Sequence, residues 1–420
     1  MRNRLISATV GGLLVLTTVG AAAQSPSMSP AMSPAASMAP MTSMAPTGSM
    51  MPGAADVLSP AADLRASLDL MLGEHIILAV KATGAALAGN QKQFEAYGGL
   101  LNSNGTDLGA AIGSVYGKDA QDAFNTIWSA HNGFFVDYTT GVATKDQAKQ
   151  DQAVKDLTEQ YVPQFSELIA GATGLPLDAV TSLITDHVLQ TKAVVDAQAA
   201  KDWTAAFTAI RAAYAHMQMI GDALAGAIVG QHPELFAGDP STSGVSFRVA
   251  LDQLLQEHLY LATMATDAAL AGRDKEFAAA GAALNTNGTD IGAAIGSLFG
   301  QDAQDGFNTI WSAHNGFFVD YTTGVATKDQ AKMDTAVQNL TTVYVPQFAA
   351  FLAGATGLPE ATLTDLITQH VLTTKAVVDA QGAGEPKKAA AADLAAGRHM
   401  QMIGDPLANA IVAALPASFQ

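Results

Sequence analysis

The segment from Phe124 to Lys149, FNTIWSAHNGFFVDYTTGVATKDQAK, returns letter for letter from Phe307 to Lys332. The offset of 183 residues holds without insertion from the first histidine of each copy to the last. The chain is therefore a duplicated module. Any fold proposed for it must be buildable twice, and each copy is a control for the other.

Within one copy, apolar residues recur at helical spacing over six segments. These are Leu64 to Ala88, Gln91 to about Tyr116, Asp119 to Val142, Lys145 to Ala170 with a kink near Pro163, Leu177 to Ala200, and Trp203 to Val229. Asn-Gly-Thr-Asp at 104–107 reads either as a break with a fresh cap or as a tolerated irregularity. Alternating β-branched runs and hairpin dipeptides are scarce, and Ala and Gly are abundant while aromatics make up 6%. The expected fold is all-α: two tandem antiparallel bundles of about six helices each. The expected boundaries are a signal peptide over 1–23, a disordered linker over 24–60, bundles over 61–236 and 245–420, and a polar linker over 237–244.

At the start, Arg2 and Arg4 precede an apolar stretch from Leu5 to Val19, and Ala21-x-Ala23 offers a cleavage site. That is the grammar of an export signal, so the protein is expected in the periplasm or outside the cell, with no transmembrane segment once the signal is removed. The next segment is rich in Ser, Pro, Ala and Met, and holds seven of the chain's fifteen methionines between Met28 and Met51. Thioethers are soft ligands suited to Cu(I). The chain has no cysteine, hence no thiolate metal site and no covalently attached haem. Its net charge of −17 argues against nucleic acid as a partner.

Four histidines per copy fall on apolar helix faces: His75, His131, His187 and His216, repeated as His258, His314, His370 and His399. The ninth, His232, lies outside the pattern and its counterpart is Leu415. Burying an imidazole demands partners for both nitrogens, and ligands from facing helices are how bundles build metal and haem sites. The eight histidines are therefore candidate metal ligands, with Met219 and Met402 as candidate soft ligands. Glu74, Asp107, Asp137 and Asp222, with their counterparts Glu257, Asp290, Asp320 and Asp405, are candidate acceptors behind the imidazoles. Asp186 stands opposite Gln369, so it is not indispensable to any such site.

The motifs EH on the first helix, IGSVYG after the second, WSAHNGFFVDYT on the third and AHMQMIGDALAGAIV on the last resemble those of secreted bacterial helical-repeat proteins. Such repeats are often found in chains carrying a copper-amine-oxidase-like N-terminal domain. The resemblance covers both modules nearly end to end. It implies secretion and an all-α fold, and leans towards copper.

The leading expectation is a non-catalytic, exported metal-binding protein that holds copper through its core histidines. One alternative is a b-type haem bundle using the same histidines. Another is a structural or interaction module in which the histidines belong to buried networks with carboxylates. An enzyme is the less favoured reading: His131, Asp137 and Tyr138 could supply acid–base chemistry, but six residues of helix carry Asp137 well round from His131.

Overall fold

A computed structural model describes residues 57–420. The expected signal sequence and most of the Met-rich segment lie outside the described residues. Among those described there are helices and no strand. The first half consists of α1 (Pro60–Leu87), α2 (Gln91–Tyr116), α3 (Lys118–Thr144), α4 (Gln147–Lys155), α5 (Val162–Thr173), α6 (Leu177–Ala200) and α7 (Trp203–Gln231). The second consists of α8 (Ser243–Leu270), α9 (Asp274–Phe299), α10 (Gln301–Thr327), α11 (Gln330–Asn339), α12 (Val345–Thr356), α13 (Glu360–Gly382) and α14 (Pro386–Ala414), followed by a short 3-10 turn, Pro416–Phe419. A π-helical turn, Asp156–Tyr161, joins α4 to α5, and Leu340–Tyr344 joins α11 to α12. Each half is thus a six-helix bundle whose fourth helix carries a π-turn.

Local chemistry accounts for the boundaries. Ser59 caps α1 by accepting from the Ala62 N–H, with Pro60 in the first turn where no donor is missed. Asp146 and Asp202 cap α4 and α7 in the same way. Asn104-Gly-Thr-Asp does not break α2. Gly105 is there because the Trp128 ring packs on its backbone, and an added Cβ would sit 2.6 Å from that ring. The kink expected near Pro163 takes the form of the π-turn. Pro163 cannot donate to the carbonyl one turn back, and the preceding Val162 N–H instead reaches the Leu157 carbonyl, five residues back.

The central helix of each half is the first, α1 or α8. Seventeen residues of α1 are buried, and they include Glu74 and His75. By length and composition α1 is the one described helix apolar enough to cross a membrane, but 67% of its apolar window is covered by the fold itself. The end of the expected spacer is likewise part of the fold: Val57 is 0% exposed and packs with Val245, Val249 and Val412.

The halves pack on each other around a pseudo-twofold relation. Arg65 reaches the Pro240 carbonyl and the Ser246 hydroxyl, and its counterpart Arg248 reaches the Val57 carbonyl and Asp63, the equivalent positions. The segment between α7 and α8 is anchored, with Ala61 N–H donating to the Ala237 carbonyl. Elsewhere the two sides of the interface differ. Lys81 forms a buried ion pair with Asp393, where Tyr97 and Thr263 also donate. The equivalent four positions hold Met264, Ile210, Ala280 and Val80. Tyr214 lies on Gly73 and Tyr260 on Gly397, whose counterparts are not glycine–tyrosine pairs.

Candidate metal centre

Three of the four histidines in each half meet. His75 comes from α1, His131 from α3 and His187 from α6, each 4% exposed or less. Their candidate ligand atoms lie within 4.8 Å of one another. Ring centroids are 5.4 Å apart for His75 and His131, 5.9 Å for His75 and His187, and 6.0 Å for His131 and His187. His258, His314 and His370 repeat the arrangement at 5.3, 6.1 and 6.0 Å. Three imidazoles on one ion at about 2.0 Å would have centroids roughly 5–5.5 Å apart. The six rings are therefore close to a bound arrangement and need small inward movements to close on an ion.

The helices bring the rings together for packing reasons. His75 shares a buried face of α1 with Leu68, Leu72 and Leu78, and His187 one of α6 with Val180, Ile184 and Val194. His131 lies between Trp128 and Phe135 on α3. Aromatic rings complete the walls: Trp128 stands 4.6 Å from His75, and Tyr161 stacks flat on His131 at 4.5 Å and 18°. Tyr344 does the same to His314 at 4.6 Å. Tyr161 and Tyr344 are the last residues of the π-turns, so each π-turn presents a ring to a histidine.

Electrostatics favour neutral, ligating imidazoles. Burial, then the neighbouring imidazoles, hold His75 well below the ordinary histidine range. Burial brings His131 to about 4, opposed by its bond to the Trp128 carbonyl, and burial with the neighbouring histidines brings His187 to about 3. His258, His314 and His370 behave alike. The His131 Nδ1–H donates to the Trp128 carbonyl at 2.8 Å, which leaves the Nε2 lone pair for an ion, and His314 repeats this with Trp311 at 3.0 Å. Nδ1 of His75, His258 and His370 is buried without a protein partner. A buried polar nitrogen left unpaired costs on the order of 1–3 kcal/mol. Three neutral imidazoles, with one orphaned nitrogen in the first triad and two in the second, are a donor set that suits copper, zinc, iron or nickel.

The fourth histidine does not join. His216 on α7 bonds the Leu183 carbonyl at 2.8 Å, and His399 bonds Leu366 at 3.0 Å. They buttress the helices that carry His187 and His370. Met219 and Met402 are 57% and 47% exposed, on the outer side of α7 and α14, away from the buried triads.

The carboxylates expected behind the imidazoles do other work. Glu74 accepts from Arg398 and Asn104, and Glu257 from Arg211 and Asn287. Asp290 and Asp107 flank the same arginines. Asp137 and Asp320 are exposed and pair with Lys149 and Lys332. Asp222 and Asp405 pair with Arg65 and Arg248. Among the described residues none of the eight bonds a triad histidine, so the His–carboxylate network is corrected to an imidazole cluster anchored on a carbonyl through His131 in one half and His314 in the other. The Tyr138 hydroxyl donates to Asp196, and Asp186 is exposed. The haem alternative does not fit either, since Trp128 and Tyr161 lie against the rings where a macrocycle would need space.

Sequence reasoning missed several residues. Tyr161/Tyr344 and Asn104/Asn287 recur at the 183-residue offset, which was the available signal. Asn104 and Asn287 are 1% and 0% exposed, so the Asn-Gly-Thr sequons are interior features. Asp69 and Asp252 were also overlooked. Both are 0% exposed and are pushed well above the usual carboxylate range by burial and by Asp222 or Asp405 beside them.

In comparisons with protein-family models, curated proteins and solved structures, nothing matches this chain.

Proposed function

We propose that this is a non-catalytic, exported metal-binding protein in which each half holds one copper ion on three imidazoles. The observation that carries the reading is the double convergence of His75, His131 and His187 and of His258, His314 and His370. Copper is favoured over zinc by charge. The donor set is neutral, and the nearest buried acids, Glu74 and Glu257, are committed to arginines. Without a counter-charge, a buried site suits a monovalent ion better than a divalent one. The seven methionines between Met28 and Met51 add soft donors of the kind that collect Cu(I). Export rests on the Arg2–Ala23 signal pattern.

The test is elemental analysis of the untagged chain without its Met-rich residues 24–56, after equilibration with Cu(I), Cu(II) and Zn(II). Two ions per chain are expected, falling to one in His187→Ala and to one in His370→Ala. Retention of two ions by the double variant would place metal elsewhere and sink the reading.

A further inference from the structure

A cavity of about 710 Å³ opens between α1, α2, α3 and α6 of the first half, and the His75, His131 and His187 rings are part of its wall. The rest of that wall is mostly small or apolar, with Ala79, Ala82, Phe94, Leu101 and Phe135 among the lining residues. Besides Gly89 after α1, three glycines inside helices line it: Gly98 and Gly99 in α2 and Gly133 in α3. Glycine weakens a helix interior, so each needs a reason. At Gly105, Gly109 and Gly113 the reason is contact, because an added Cβ would come within 2.7 Å of a neighbouring side chain. At Gly98, Gly99 and Gly133 an added Cβ would meet nothing within 4 Å. Packing does not require these three, as it does not require Gly171, Gly226 or Gly230 elsewhere in the half, but these three open on the cavity. His75, with a buried and unpartnered ring nitrogen, lies at its wall.

Three protein ligands plus one open position is the pattern of a metal site that binds something from solution, whereas a closed structural site uses four. We propose that the first triad is an open site whose ion takes a fourth ligand through this cavity, a small molecule with one nitrogen or oxygen donor on an apolar body. The proposal rests on the metal reading above. The second half keeps the triad, Gly281 and Gly316, but has Ala282 in place of Gly99 and Ala278 in place of Glu95. The mouths have therefore diverged around the same three histidines.

The experiment uses the full mature chain loaded with Cu(I) and then oxidised to Cu(II), the state with optical and electron paramagnetic resonance signals, with azide and 4-phenylimidazole as probes. Both probes should perturb the copper spectrum. Gly98→Leu with Gly133→Leu fills the cavity where there is room for a side chain. This variant should keep two coppers per chain while its 4-phenylimidazole affinity at one of the two sites weakens at least tenfold. A chain that binds no copper would overturn the metal reading itself. Copper that binds but ignores both probes would overturn the open site alone. A probe response unchanged by the leucines would overturn the cavity as its route.

Discussion

Arg398 grips Glu74 with two hydrogen bonds of 2.8 and 2.9 Å, and Arg211 grips Glu257 with two of 2.9 and 3.1 Å, yet the two arginines are not equivalent residues. In the 183-residue register Arg398 corresponds to Ala215 and Arg211 to Leu394. The arginine has moved by four residues, one helical turn, and still reaches the same glutamate and the neighbouring aspartate in the opposite half. Each clasp joins the two halves beside the helix that bears His75 or His258.

Breaking one clasp should cost more than removing it whole. Arg398→Met leaves the buried Glu74 carboxylate with Asn104 as its remaining partner, and is expected to lower stability by roughly 2–4 kcal/mol. The double variant Arg398→Met with Glu74→Met should be less damaging than the two single effects added together. Chemical denaturation of the four proteins provides the cycle, and strict additivity would contradict the pairing.

The halves should behave as complementary partners more than as independent modules. Lys81 finds Asp393, and Tyr214 finds Gln256, only across the interface. Fragments covering 57–236 and 243–420 are expected to co-purify when expressed together. Each alone should be less soluble, and self-paired complexes should lose out when both are present. Two stable, non-associating monomers would refute this.

Acid should unfold the metal-free protein through its triads. In the folded state burial holds His131 at about 4 and His187 at about 3, while an unfolded histidine takes its proton near 6.5. Between those values the unfolded chain binds more protons, so stability present above pH 6.5 is lost as pH falls towards 4. At pH 5 the loss is roughly 2 kcal/mol for each of His131 and His187. Urea midpoints at pH 7.5, 6 and 5 should fall steeply. Replacing His187 by Phe, which removes one titrating group, should flatten the decline.

Asp69 titrates in the opposite sense. Its folded carboxyl is held protonated by burial and by Asp222, so it supports the fold below the unfolded aspartate value and loses that support as pH rises. Asp69→Asn should therefore raise the melting temperature at pH 7.5, with the gain shrinking towards pH 4. A gain independent of pH would point to packing.

Copper should be visible to tryptophan. Trp128 and Trp311 stand 4.6 and 4.4 Å from His75 and His258, and they are two of the chain's three tryptophans. Cu(II) at the triads should quench most of the emission, with saturation at two equivalents, while Zn(II) should quench little. His216→Ala, outside the cluster, should leave that stoichiometry intact.

The helices were legible because each is long and periodic. The second and fifth segments end where the spacing put them, at Tyr116 and Ala200. Three of the four histidines on core stripes proved to share one cluster. What could not be read was which of two inward faces each polar group chose. His216 lies on as apolar a stripe as His75, yet it turns to a backbone carbonyl on α6. Glu74 sits next to His75 in sequence, and the 100° between neighbours on a helix sends it to the other half. The clasps were invisible for a different reason: the comparison of copies rewards residues that stay in register, and these arginines did not.

Each π-turn holds one residue more than an α-helix of the same rise would need. Deleting a single exposed residue there, such as Glu159, would let α4 and α5 run on as one helix, short only of the bond that Pro163 has no N–H to make. The fold would survive, but the residues on one side of the deletion would rotate by about 100° relative to the other, and Tyr161 could no longer lie on His131 while α5 kept its own packing. A single residue thus separates a bundle with a walled histidine cluster from a plain one, and each half has kept the extra residue, with Glu159 at that position in one and Thr342 in the other.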